Sequence, residues 1–422
     1  MAKVFLDITP LRVNRDFRFV WTGQVVNQLG SQLTLLALNA QLYALTKSKL
    51  ALGLLGAAQL VPLVVCSIVG GTIADTYDRR KILLVMQILM AITSAGLALN
   101  GHSVWPIFVI AAIQSGLLGV DWPTRSATTA TIVGPDLRVA AFALNSVVFN
   151  SAQVFGPLLG GLLVKASGPR LAYVVDVASY LWAFTFTSLV RPMPPSGKPA
   201  GVSIAAIADG FRYLRTQRLL QSTFVADLNA MVFGMPRALF APMAYEVFKG
   251  GAGTLGVLTA APAVGALVGG FLTGWVSRIV RQGRAVIVCI VIWGVAITGF
   301  GFSKVLWLGV VFLGIAGAAD MVSAVFRNAI SQETATDEMR GRMSSIFIAV
   351  VRGGPLVGDY EAGQVAALTS TQVSVVSGGL LCVGFRALIA WLYPELRRYR
   401  IGDLARPATV DDPDSAPARA DQ

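Results

Sequence analysis

Charge is scarce in this chain. Only 13% of its 422 residues are Asp, Glu, Lys or Arg, against about a quarter in an ordinary soluble domain. With 55% of residues hydrophobic and a mean hydropathy of +0.67, a soluble globular fold is excluded. Histidine is nearly absent: His102 stands alone, in a short loop expected to face outward, so no histidine relay or histidine metal site is expected. Cys66, Cys289 and Cys382 each fall inside an apolar stretch, which gives neither a disulfide framework nor a metal-ligand spacing. No phosphate-cradling glycine loop occurs, and no nucleophile–base constellation stands out. An enzyme and an ATP-driven pump are therefore set aside, and no cofactor or metal is expected. The net charge of +12 points first to nucleic acid, but the basic residues lie singly between apolar runs rather than in one patch. No nucleic-acid partner is expected. A lipid bilayer explains the composition better.

A membrane-spanning helix needs roughly 20 mostly apolar residues. Twelve such runs can be counted, at about 17–45, 51–75, 82–100, 105–124, 140–165, 171–190, 221–247, 254–277, 285–302, 305–325, 343–369 and 373–393. The expected fold is an all-α membrane protein with twelve transmembrane helices in two pseudo-symmetric six-helix bundles. Residues 1–16 form a cytoplasmic lead, 17–190 and 221–393 the bundles, 191–220 a linker and 394–422 a tail. The linker opens with Pro192, Pro194, Pro195 and Gly197, then becomes amphipathic through Ile204, Ile207, Phe211 and Leu214, as a surface helix would. From Gly402 the tail is rich in Asp, Ala and Pro and reads as disordered. The first run is long and lacks a small-residue cleavage site, so no cleavable leader is expected.

Orientation follows from the basic residues. An inside N-terminus puts 25 Lys and Arg on the cytoplasmic side, 6 outside and 3 within helices (Arg237, Arg352, Arg386), accounting for all 34. Both termini are expected in the cytoplasm. The two halves also repeat: Gly70-Gly71 with Arg79 recurs as Gly269-Gly270 with Arg278, and Asp121 recurs as Asp320, each shifted by 199 residues. Parallel halves of this kind enclose a mid-membrane site in known transporters.

Between the second and third runs lies Gly71-Thr72-Ile73-Ala74-Asp75-Thr76-Tyr77-Asp78-Arg79-Arg80. Asp75 stands at the negative end of its own helix dipole, which disfavours an acid unless a cation meets it. A contact of that kind, made in one conformation and broken in another, is a gate. The positions Gly71, Asp75, Asp78, Arg79 and Arg80 resemble the signature loop of the major facilitator superfamily; Thr76 departs from it, where the family prefers a base. The resemblance implies that this loop latches the cytoplasmic side. A plain positive-inside anchor is the other reading of the same residues.

The fifth run contains Gly156-Pro157-Leu158-Leu159-Gly160-Gly161. Proline bends a helix by removing a donor, and glycines admit a close neighbour. The segment is similar to the antiporter motif of exporters in that superfamily, although ordinary small-residue packing, as at Gly265, Gly269, Gly270 and Gly274, also accounts for it. Arg125 to Gly161, with Ala143-Leu144-Asn145-Ser146 and Asn150, resembles more narrowly the branch holding the enterobactin exporter and macrolide-efflux proteins. So does Asp337-Glu338-Met339-Arg340-Gly341-Arg342, and the likeness runs from about Leu11 to Arg400. It implies a bacterial inner-membrane exporter of siderophores or amphipathic drugs driven by protons.

Ionisable residues inside a membrane are costly and functional by default. The eleventh run holds Arg352, Asp359 and Glu361, around Gly353-Gly354-Pro355, which predicts a weakened, kinked helix. Asp359 or Glu361 is a candidate proton carrier and Arg352 a candidate ligand for anionic cargo; a structural ion pair, or an outer-end acid in water, is the alternative. The seventh run carries Asp227, Asn229, Pro236 and Arg237. Asp227 is a further proton candidate, and Asn229 and Arg237 join Asn145 and Asn150 as cavity candidates; for Arg237 a basic position in the exporter branch supports this. Asp121 and Arg125 (i,i+4), and Asp320 and Arg327 (i,i+7), read as cytoplasmic gate pairs. Asp176, with Arg170 near it in sequence, reads as an outer interfacial residue. Gln24, Gln28 and Gln32 form one polar stripe suited to a polar organic substrate, or to hydrogen bonding between helices.

The expected function is export of a small amphipathic organic molecule by proton antiport, from a chain acting as a monomer. An importer and a non-transporting receptor on the same fold are the alternatives.

Overall fold

The computed structural model describes residues 7–194, 209, 212–271, 274, 279–334 and 337–400, and side chains within them except 332 and 337–349. Ile204, Ile207, Phe211, Arg278, the side chains of the Asp337–Arg342 run and the tail beyond Arg400 lie outside this description. Among the described residues the secondary structure is helical, with no strand.

Among the described residues each predicted run falls mainly on helix. After a short turn at Thr9–Val13 come α1 (Arg15–Thr46), α2 (Lys49–Thr76) and α3 (Arg79–Leu99). The helical stretch Val104–Ser167 is broken in dihedral terms at Gly134 (φ 68°, ψ 174°). That left-handed value suits glycine and separates α4 (104–133) from α5 (135–167). Then follow α6 (Pro169–Ser188), α7 (Arg218–Phe233), α8 (Gly251–Phe271), α9 (Gln282–Phe302), α10 (Leu306–Thr334), α11 (Asp337–Leu368) and α12 (Thr371–Leu392). Eight helical stretches are long and apolar enough to cross a membrane, counting 104–167 as one. At 1.5 Å per residue, α4 and α5 are each about 45 Å long, enough for one crossing apiece. α1 and α11 have similar length and α6 spans about 30 Å; all three carry more polar side chains.

Helix starts follow the local sequence. Asn14, Ser48, Asp78 and Ser370 accept hydrogen bonds from the first-turn amides of α1, α2, α3 and α12, which satisfies donors that would otherwise be orphaned in an apolar medium. Outward faces are apolar, with Val61, Val65, Leu162 and Leu380 exposed. Exposed Trp105, Trp307 and Trp391 stand near helix ends, where an amphipathic ring suits a membrane interface.

α7 is interrupted. Beyond Phe233 the chain leaves the helix at Gly234–Pro236, resumes as a 3-10 turn (Arg237–Leu239) and ends in a π-helical turn (Met243–Val247). The freed Gly234 carbonyl accepts from Trp293 Nε1 at 2.8 Å. α11 runs helically through Gly353-Gly354-Pro355. Its small residues serve packing, Gly354 against the Met231 side chain and Gly358 against the Met231 and Val232 carbonyls.

Helices α1–α6 pack with one another, as do α7–α12, and the two groups meet chiefly along α2–α11 and α5–α8. The internal repeat is carried into the packing. Gly70 of α2 abuts Gly119 and Val120 of α4, and Gly269 of α8 abuts Ala318 of α10.

Candidate functional site

The seams between the groups are built on glycine. A Cβ on Gly53 would lie 2.9 Å from Gly363 Cα, and one on Gly56 would lie 2.8 Å from the Leu356 carbonyl oxygen. On the opposite seam a Cβ on Gly161 would lie 2.8 Å from the Ala252 oxygen, and one on Gly256 would lie 2.5 Å from the Pro157 oxygen. These contacts are related by the same shift of 199–200 residues: 56 with 356, and 256 with 157. Gly156 and Gly160 face inward to α1 instead, Gly156 against Gln32 and Gly160 against Leu33. Gly156, Pro157, Gly160 and Gly161 thus divide between two neighbours.

Polar ties reinforce the same end. Glu246, in the π-helical turn, accepts from the Tyr43 hydroxyl of α1, lies 3.4 Å from Lys49 Nζ and accepts from Thr371 Oγ1 at 3.4 Å. Lys47 sits over the Tyr43 and Tyr245 rings. Sequence reading missed Glu246 because it closes an apolar run and looks like a loop acid. Asp359 joins this end through the broken helix: its Oδ1 accepts from the Ala238 amide at 2.8 Å, and Arg237 Nη2 lies 4.0 Å from its Oδ2. Its Cβ lies beside Gly56. Glu361, two residues on, is half-buried and has no hydrogen bond or ion pair among the described residues.

Deeper in, Arg352 of α11 crosses to the other group and stacks on Trp122 of α4, its guanidinium carbon 3.3 Å from the ring centroid. Trp122 in turn meets Phe149 edge-on. Arg352 and Asp359 thus find separate partners rather than each other. The contacts between the groups at Tyr43, Lys47 and Lys49 with Tyr245 and Glu246 gather at one end, and Arg352 meets Trp122 deeper in.

At the Asp78 end the gate loop bonds, among the described residues, within its own group. Asp78 Oδ1 accepts from the Arg80 and Met193 amides, and Arg79 donates to the Ala74 carbonyl and to Thr131 Oγ1. Arg80 Nη2 donates to the Ser188 carbonyl, and Asp75 stands 3.9 Å from Arg79. Gly71 lies in the last turns of α2. Asp121 pairs with Arg125 at 2.5 Å, and the pair borders a small polar pocket with Gln28. Gln24, Gln28 and Gln32 are half-buried, Asn145 donates to Thr129 Oγ1 at 3.2 Å, and Asn150 is exposed.

Asn229, a cavity candidate, is buried and donates to the Cys382 carbonyl of α12 at 3.0 Å. Asp227 and Asp320 share Arg327, which lies 2.5 Å from Asp227 and 3.3 Å from Asp320. Arg327, counted with the inner cations, is 4% exposed, and Asp227 is 2% exposed. Nearby Arg386 is fully buried, and its three guanidinium nitrogens have no hydrogen-bond partner among the described residues. Asp176 corrects an expectation. It is 1% exposed, inside the first group rather than at its surface, while Arg170 is exposed.

Residues 7–413 match a family model described as transmembrane secretion effector. The chain is 27% identical over 422 residues to the enterobactin exporter EntS of Citrobacter koseri, covering 98% of each. Among solved structures it is similar to the nucleoside transporter NupG (TM-score 0.74, 13% identity, 91% of this chain and 100% of that one). It is also similar to a bacterial homologue of the human lysosomal transporter Spinster, inward-facing and unoccupied (TM-score 0.73, 16% identity, 92% and 99%). The fold is that of these transporters.

Proposed function

The chain belongs to the transmembrane secretion effector family of the major facilitator superfamily, and on that premise we propose that it exports a small amphipathic organic molecule by proton antiport with alternating access. A siderophore is the first cargo to test, because the relative named above is an enterobactin exporter. The observation that carries the reading is the close, glycine-built joining of the two groups at the Glu246 end. With the basic loops placed in the cytoplasm, that end is the outer one, as in a state that loads cargo from the cytoplasm.

Arg352 stacked on Trp122 offers a cationic, aromatic platform at the meeting of the two groups, suited to an aromatic anion such as a catecholate. Asp359, Arg237 and Glu246 hold the outer seam, and the 71–80 loop with Asp121 and Arg125 closes the inner one when the groups rock together. Of the acids expected to carry protons, Asp227 is clamped by Arg327 and Asp359 by Ala238; Glu361 is the unclamped one. The test is accumulation of labelled enterobactin in everted inner-membrane vesicles under an imposed ΔpH. Accumulation that stops when nigericin collapses ΔpH supports the proposal. No accumulation of enterobactin or of amphipathic dyes above vesicles lacking the protein overturns it.

A further inference from the structure

One buried acid has no place in that scheme. Asp176 of α6 sits between α1 and α3, and hydroxyls surround it. Thr34 Oγ1 and Ser94 Oγ each donate to its Oδ2 at 2.7 Å, and Ser179 Oγ lies 3.2 Å from its Oδ1. Gly30 leaves room for the carboxyl: a Cβ there would come 2.7 Å from Asp176 Oδ1. Among the described residues no Lys, Arg or His pairs with it. An isolated buried carboxylate is strongly disfavoured, so such a group relies on a proton or on hydrogen bonds.

The hydroxyl cage serves both states. Ser and Thr hydroxyls donate and accept, so they can donate to a carboxylate and turn to accept from a carboxylic acid. Ser179 already has a second acceptor, the Asp176 carbonyl, at 2.7 Å. An arginine clamp lacks this property, because guanidinium only donates.

Asp176 also lies on a row of polar groups along one face of α1: Asn27, Ser31, Thr34 and Gln41, at helical spacing. Outward of it, the Tyr173 hydroxyl donates to Gln41 Oε1 at 2.6 Å, beside a cavity of about 510 Å³ lined by Gln41, Asn100, His102, Arg170, Tyr173 and Tyr245. Inward of it, the Tyr180 and Ser31 hydroxyls are 3.1 Å apart and Ser31 reaches Asn27 at 3.4 Å. These border the small pocket that holds Asp121 and Arg125. Asn27, Ser31 and Thr34 stand about one helical turn, ~5 Å, apart, and Gln41 lies two turns, ~10 Å, beyond Thr34, with Tyr173 of α6 reaching it from one turn above Asp176.

We propose that Asp176 is the proton-carrying carboxyl of this transporter, loaded from the outer cavity and unloaded toward the inner pocket along this row. The inference rests on the proton-antiport reading above. The carboxylate takes up one proton, becomes a neutral acid and later releases that proton on the opposite side; no other group changes state. The neighbours that bear on it are few. α1 presents Thr34 and Gly30, α3 presents Ser94, and α4 presents Gln114, which donates to Ser94 Oγ at 3.2 Å. Tyr173 and Tyr180 flank it on α6, and the Asp121–Arg125 pair of α4 lines the same small pocket as Tyr180.

The direct test needs no cargo: infrared difference titration of the purified full chain in nanodiscs. The wild type should show a protonated-carboxyl C=O band that disappears as pH rises, missing in Asp176→Asn and retained in Asp359→Asn. A band unchanged in Asp176→Asn overturns the assignment. Should Asp176→Asn fail to insert, Thr34→Val with Ser94→Ala keeps the acid and removes two donors. A displaced titration midpoint then supports the cage, and an unmoved one overturns it. In vesicles with enterobactin as probe, Asp176→Asn should lose at least tenfold in ΔpH-driven accumulation while counterflow, which needs no net proton movement, persists. Wild-type transport indifferent to ΔpH sinks the antiport reading and this inference together. Equal ΔpH-driven transport by wild type and Asp176→Asn sinks only the role of Asp176.

Discussion

The two helix groups bury acid in opposite ways. In α1–α6, Asp176 is held by three hydroxyls and no cation. In α7–α12, Asp227 is buried against Arg327, which also reaches the partly exposed Asp320, and Arg386 is buried too. A fixed cation meets the buried acid there. Removing either charge type leaves the other stranded. The difference separates a locked ionic joint from a site able to change charge, although both look alike in sequence as lone acids in apolar helices.

The comparison is most exposed at Arg327. Arg327→Met leaves Asp227 buried and unpaired, a change expected to destabilise by about 3–5 kcal/mol. Thermal unfolding in detergent should fall sharply, and adding Asp227→Leu should restore much of it; an unmoved transition would mean that the cluster is no joint. At the seam, Gly256→Val presses on the Pro157 carbonyl, and overpacking of this kind costs about 1–3 kcal/mol. Enterobactin accumulation should drop roughly tenfold by that arithmetic, with labelling of cysteines introduced at the outer end rising. Asp176→Asn should shift unfolding far less than Arg327→Met, by about 1 kcal/mol, since an amide finds the same hydroxyl partners. A loss as large as that of Arg327→Met would erase the contrast between the groups. Smallest is Glu246→Gln, which loses a half-exposed pair with Lys49 worth about 0.2–1 kcal/mol. It should raise outer-end labelling a few-fold without loss of folded protein.

Much of the fold was legible because lipid demands long apolar runs and short charged loops, and the break near Pro236 follows from a missing donor. At Gly353-Gly354-Pro355 the sequence does not show the partner: the small residues pack on Met231, more than a hundred residues away in the chain. The polar stripe of α1 was read on the face of Gln24, Gln28 and Gln32, while the buried row is Asn27, Ser31, Thr34 and Gln41. Hydroxyls on an apolar helix give little contrast. Asp176 was misplaced for a related reason: Thr34 and Ser94 lie 142 and 82 residues away in sequence, whereas Arg170 is six. Glu246 was missed because its partner Tyr43 is 203 residues away.

The central claim is exchange of cargo for protons, and it is met most directly in liposomes containing only this protein. Enterobactin flux and internal pH would be followed together after a pH step. Opposed movement of cargo and protons, both abolished when ΔpH is collapsed, is the predicted result. Cargo that moves with the protons, or moves equally well without a gradient, would contradict it.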